Sequence, residues 1–150
     1  MEIRTYRDLN FWKKSMSLVL EVYRLSRLFP REEQFGLTSQ IRRAAVSIPS
    51  NIAEGHDRIH IADYLRFLSI SRGSLMEVET HLEIAVRLDY LTRDQITEAR
   101  EISAEVGRIL NGLIRSLIEK NGSSSNGRIA ETTEPYETDW PPIPDSYEID

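Results

Sequence analysis

The chain has 150 residues, enough for one domain with its own core, and its 40% hydrophobic and 29% charged residues are ordinary for a globular fold. It has no cysteine, which removes disulfides, thiolate metal sites and cysteine nucleophiles. No stretch approaches the roughly 18 uninterrupted apolar residues of a membrane span, and residues 1–20 carry charge throughout, so a cytoplasmic protein with no membrane partner is expected.

Charge divides unevenly along the chain. Residues 1–120 hold 18 basic and 17 acidic side chains, a net of +1, whereas residues 121–150 hold one arginine and seven acids, a net of −6. Of the 18 cations, 15 are arginine, which favours forked pairing with carboxylates or phosphates.

Asp8 stands where an N-cap belongs. After it, Leu9, Trp12, Met16, Val19 and Tyr23 recur at helical spacing, with Phe11, Leu18, Val22 and Leu25 on an adjoining stripe. Two stripes are more than one bundle centre consumes, so this surplus, like that of Ile102, Ile109 and Ile114 later in the chain, predicts a broad core or a subunit interface. Phe29-Pro30 is expected to end this helix, because proline pushes the preceding residue out of the α region.

A second helix is predicted from about Thr38 to Glu54, with Leu37, Ile41, Ala44, Ile48 and Ile52 as its apolar line. Beside it runs a polar line of Gln40, Arg43, Ser47, Ser50 with Asn51, and Glu54. Pro49 removes one backbone donor and crowds the Ala45 carbonyl, which predicts a bend. Such a proline costs about 3 kcal/mol in an exposed helix, so a packing requirement is expected to offset it. Gly55 is read as the residue that closes the helix, with a turn over residues 56–59.

The third helix is predicted from about Ile61 to Leu88 on Ile61, Leu65, Leu68, Leu75 and Leu82, flanked by Tyr64, Phe67, Val78 and Ala85. Gly73, in line with Ala62 and Ser69, costs about 1 kcal/mol against alanine and predicts close approach of another backbone. Thr92 and Gln95 read as a capping box, Thr92 the N-cap and Gln95 the third residue of a fourth helix, which continues on Ile96, Ala99, Ser103, Val106, Leu110, Leu113 and Leu117 and ends near residues 120–122. Short connections favour antiparallel neighbours, hence an all-α, up-down-up-down four-helix bundle over residues 1–120. Residues 121–150 begin with a Gly/Ser/Asn linker and continue acidic and proline-containing through Trp140-Pro141-Pro142-Ile143-Pro144, which predicts a flexible, disordered acidic tail. Its aromatics, Tyr136, Trp140 and Tyr147, leave open a short docking segment.

Three groups of side chains are candidates for function. Arg43, Ser47, Asn51 and Glu54, around Pro49 and Gly55, form either a ligand or subunit-contact surface or an internal hydrogen-bond network pinning the second helix to the third. Arg42, Arg43, Arg58, Arg66 and Arg72 could contact phosphates with salt-sensitive affinity, or pair with Glu54, Asp57, Asp63 and Glu77. A di-iron site needs Glu-x-x-His on two helices. Glu77 and His81 are four apart rather than three, no second copy exists, and His56 and His60 straddle a predicted turn. There is no glycine-rich phosphate loop and no G-x-S-x-G elbow, so no catalytic residue, cofactor or metal is assigned.

Several segments together are distinctive. They are Tyr6-Arg7-Asp8-Leu9 with Trp12, Phe29-Pro30, the run QFGLTSQIRRA over residues 34–44, SIPSNIAEG over residues 47–55, Arg66-Phe67-Leu68, Gly73-Ser74-Leu75 and Glu77. Over about residues 5–118 the chain resembles the family first known as proteins encoded in intervening sequences of bacterial 23S ribosomal RNA genes, once labelled S23-type ribosomal proteins. The resemblance implies an antiparallel bundle assembled as a homopentamer around a central channel, and no established catalytic residue. A related branch serves diversity-generating retroelements, its basic barrel contacting reverse transcriptase and nucleic acid; this near-neutral bundle with an acidic tail departs from that pattern. The expected function is a non-enzymatic homo-oligomeric scaffold or adaptor, the alternative a nucleic-acid-binding accessory protein using the arginines of helices two and three. A protein partner also stays open.

Overall fold

A computed structural model describes residues 5–122, and the tail expectation falls outside them except at residues 121 and 122, which continue the last helix. A 3-10 turn at Tyr6–Asp8 precedes α1 (Asn10–Ser26), and a second at Arg31–Glu33 precedes α2 (Leu37–His56); α3 (Ile61–Arg87) and α4 (Thr97–Gly122) follow. The described residues are all-α.

Each helix packs on its neighbours in sequence, and α1 closes the ring against α4, while the backbones of the diagonal pairs stay further apart. Cross-helix contacts give the directions. Ser47 meets Ser74 and Gly55 meets Phe67, so α2 and α3 run antiparallel. Ser103 meets Glu79 and Gly107 meets Leu75, so α3 and α4 do the same. Lys14 pairs with Glu105 at 2.6 Å across α1 and α4. This is the up-down-up-down arrangement that short connections favour.

Phe11, Leu18 and Leu25 of α1, Ile41, Ile48 and Ile52 of α2, Leu68, Leu75 and Leu82 of α3, Leu110 and Leu113 of α4, and Ile96 of the turn before α4 fill the centre. The apolar lines of α2 and α4 face inward as expected. In α1 the adjoining stripe turns inward: Phe11, Leu18, Val22 and Leu25 are fully buried, Trp12 and Val19 are half-buried, and Met16 is exposed. Phe11, Leu18, Val22 and Leu25 are therefore core and no part of an outer face. Ile102, Ile109 and Ile114 also pack against the core while partly buried. Apolar side chains left to solvent lie on the helices at Met16, Leu20, Val46, Ile70, Met76, Ile84 and Ile118, and in the connections at Leu28, Phe35, Ile59 and Leu88.

The helix ends depart from the sequence reading in instructive ways. Asp8 does not cap α1. Its carboxylate accepts from the Thr5 N–H at 3.0 Å and the Thr5 hydroxyl accepts from the Arg7 N–H, closing a capping box on the 3-10 turn, while Tyr6 packs edge-on against Trp12. Helix α1 stops at Ser26, three residues before Phe29, and tightens into i+3 bonds from Leu28 to Leu25 and Phe29 to Ser26. At the start of α2, Glu33 reaches forward and accepts the Leu37 N–H at 2.7 Å, placing a carboxylate at the positive end of the helix. Tyr90 donates to the same carboxylate at 3.2 Å, joining the two connections at this end of the bundle.

The expected capping box of Thr92 and Gln95 is present in both directions, at 2.8 and 3.2 Å. It encloses a turn over residues 93–96 and α4 begins only at Thr97, so Thr92 caps this turn and is not the N-cap of α4. The end of α3 is a Schellman motif, with Tyr90 N–H on the Ala85 carbonyl and Asp89 N–H on that of Val86. Asp89 occupies its left-handed position at φ 59°.

Candidate functional site

The seam between α2 and α3 collects most of the residues singled out in the sequence. Ser74 donates to the Ser47 hydroxyl at 2.9 Å, and Asn51 donates from its amide to the same hydroxyl at 2.9 Å and to the Ser47 carbonyl at 2.8 Å. One turn further on, the buried Ser71 donates to the Ile48 carbonyl at 2.9 Å. Pro49 is buried inside an uninterrupted helix. Proline withholds a donor from the Ala45 carbonyl, and hydroxyl and amide donors reach the next three carbonyls, those of Val46, Ser47 and Ile48.

Gly55 lies within α2 and does not terminate it; Asp57 is the C-cap, with a negative φ. Its importance is steric. A Cβ there would sit 2.7 Å from the Phe67 Cβ and 2.9 Å from Tyr64 Cδ2. Gly73 is the reverse case: apart from its own turn of helix, no described residue comes within 4 Å of where its Cβ would stand. The close approach expected at Gly73 is found at Gly55.

The five arginines do not form one patch. Arg42 turns toward α1, donating to Ser26 at 2.8 Å and lying over the Tyr23 ring at 4.7 Å. Arg58 pairs with Glu54 at 3.0 Å and stacks over Phe67 at 4.7 Å, and Arg66 stacks over the same ring at 4.6 Å. Arg43 and Arg72 are exposed and, like Arg66, make no ion pair with any described residue. Arg43 lies about 20 Å along α2 from the helix's last residue, His56, beyond which Arg58 stands. Glu77 is exposed, and its charge bears on His81, whose pKa burial nevertheless pushes below the usual histidine range. No group of three or more metal-ligating side chains is assembled among the described residues.

Ser71 and Glu79 are not singled out by the sequence, and Ser74 and Ser103, though named there, carry no expected partner. Glu79 faces α4, where one carboxylate oxygen accepts from the Ser103 hydroxyl and the other is buried without a partner. Burial pushes its pKa up, opposed by the Ser103 hydrogen bond and the charge of Arg100. The available signal was register: Ser71 and Ser74 fall on the line from Phe67 to Val78, and Glu79 lies four residues after Leu75. Polar residues on a core-facing line need partners.

Substitution of the two glycines should separate their roles. Gly55→Ala should lower unfolding free energy by about 1–3 kcal/mol through overpacking, whereas Gly73→Ala should, in the single-copy protein, be neutral or stabilising by up to about 1 kcal/mol. Urea denaturation of both variants measures this, and equal effects would contradict the assignment. For Glu79, a folded-state pKa above the unfolded one means the folded protein binds the proton more tightly. Its contribution to stability is complete below the unfolded carboxylate pKa of about 4.3 and is lost as pH rises through the folded pKa. Glu79→Gln should therefore be more stable than the parent at neutral pH and show a flatter dependence of Tm on pH across that window.

Comparison with known proteins agrees with this geometry. No curated protein matches the chain. A crystal structure of a protein of unknown function from the S23 ribosomal protein family of Bacteroides thetaiotaomicron superposes with a TM-score of 0.65 at 27% identity, covering 70% of this chain and 98% of that one. The family model described as 23S rRNA-intervening sequence protein matches residues 7–112, which include the whole α2–α3 seam. The chain belongs to the 23S rRNA-intervening sequence protein family.

Proposed function

We propose that this protein is a non-enzymatic homo-oligomeric scaffold, five copies to an assembly, in which the outward face of α3 meets a neighbouring copy. One observation carries the reading. At 3.6 residues per turn, Ile70, Met76 and Ile84 lie within about 60° of Gly73 on α3, and all three are exposed in the single chain, at 41%, 41% and 38%. Gly73 costs the helix about 1 kcal/mol against alanine and leaves bare backbone between exposed apolar side chains, where a neighbouring copy can approach closely enough to offset that cost. The seam behind this face holds α3 in place through Ser47, Ser71 and Ser74, so the face is presented on a rigid support. The number five rests on the family resemblance. Light scattering of the full chain should give a multiple of the 17.4 kDa chain mass, and Ile70→Asp with Ile84→Asp should reduce it to one copy while helical circular dichroism is kept. A parent that already runs as a single copy refutes the assembly.

A second reading, a nucleic-acid-binding accessory protein, is favoured by Arg43, Arg66 and Arg72, which the bundle leaves without carboxylate partners. Three phosphate contacts to a single strand would cost roughly twentyfold in affinity between 50 and 200 mM salt. Titration of single-stranded RNA at those two concentrations tests it: no binding, or binding indifferent to salt, removes the reading.

A further inference from the structure

A shallow groove of about 430 Å³ opens between α3 and the last turns of α4, lined by Arg72, Asn111, Ile114, Arg115, Ile118 and Glu119. Its composition is unusual for this bundle. Ile118 is 57% exposed. Arg72 and Arg115 make no ion pair with any described residue. The Asn111 side-chain oxygen is buried without a hydrogen-bond partner. Such a surface suits an occupant with an apolar or aromatic anchor, flanking carboxylates and a hydrogen-bond donor.

We propose that the occupant is the chain's own C-terminal segment, Tyr136 to Tyr147, docking on the groove of the same molecule. Three observations select it over a foreign partner. The first is charge: residues 123–150 hold seven acids and one arginine, and Glu137, Asp139 and Asp145 bracket Trp140 opposite two unpaired guanidinium groups. The second is position. Helix α4 ends at Gly122, three residues beyond Glu119, so the chain continues from the mouth of the groove. The third is reach. Thirteen residues lie between Gly122 and Tyr136, a length whose average reach as a Gly/Ser-type linker is about 20 Å, and Asn111 lies about 17 Å back along the helix.

Trp140 supplies the anchor for Ile114 and Ile118 and an indole N–H, donor only, for the Asn111 oxygen. Pro141, Pro142 and Pro144 stiffen the segment and reduce the entropy lost on docking. A short tether also keeps the segment at an effective concentration near millimolar, so weak contacts suffice. The inference does not depend on the oligomeric reading. Its consequence is that the tail covers two arginines that would otherwise be open to phosphates.

The test uses the full chain. In a Trp12→Phe background, which leaves Trp140 as the sole tryptophan, acrylamide should quench Trp140 severalfold less than after Arg72→Glu and Arg115→Glu are added. Equal quenching overturns the proposal. A second full-length protein keeps Trp12 and exploits the absence of native cysteine by carrying Glu119→Cys and Thr138→Cys. Mild oxidation should close a disulfide within one chain, and the two charge reversals should slow that closure by about fivefold or more as the docked population is lost. A disulfide that joins two chains, or a closure rate unchanged by the reversals, also overturns it.

Discussion

At Gly55 the backbone of α2 approaches α3 so closely that one added carbon would collide with Phe67 and Tyr64. Much of the surrounding structure depends on that approach. It brings the two helices near enough for Ser74 to reach Ser47 and for Ser71 to reach the Ile48 carbonyl. It buries Phe67 and Tyr64, and the Phe67 ring then serves as the platform on which Arg58 and Arg66 stack. Pro49 belongs to the same arrangement. A proline that would break an isolated helix is tolerated where packing is dense and side-chain donors serve the carbonyls around it.

What periodicity could reveal, it revealed: four helices, their order, the inward lines of α2 and α4, and the Thr92–Gln95 box. These depend on spacing within one element. The choice between the two stripes of α1 did not, because adjacent stripes on one helix share a period and differ only in phase. The packing of the other three helices decides the phase, and it selected Phe11 and Leu18 over Trp12 and Met16. The glycines failed for the same reason. Gly55 fits a C-cap and Gly73 a close approach when each is read on its own helix, and only the position of α3 against α2 reverses them.

The site was legible in its residues but not in its pairings. Ser47 and Asn51 stood out as polar on a helical line, yet their partner Ser74 lies 27 positions from Ser47, and nothing local connects the two. Likewise the arginines clustered in sequence but are divided in space. Arg42 is drawn to α1 and Arg58 to Glu54, both satisfied within the chain, while Arg43 and Arg72 remain open.

That division bears on how such a bundle could engage a polyanion. Two or three outward arginines on a near-neutral body offer few phosphate contacts, and few contacts mean weak, salt-sensitive binding. Repetition changes the magnitude. Copies arranged by symmetry present the same arginines at fixed intervals, and a ligand long enough to span several copies gains by effective concentration without any new contact. The scaffold and nucleic-acid readings are therefore not equal rivals. Assembly could serve many partners without nucleic acid, whereas nucleic-acid binding at useful strength would require the assembly, so the outward face of α3 is physically prior to the arginines.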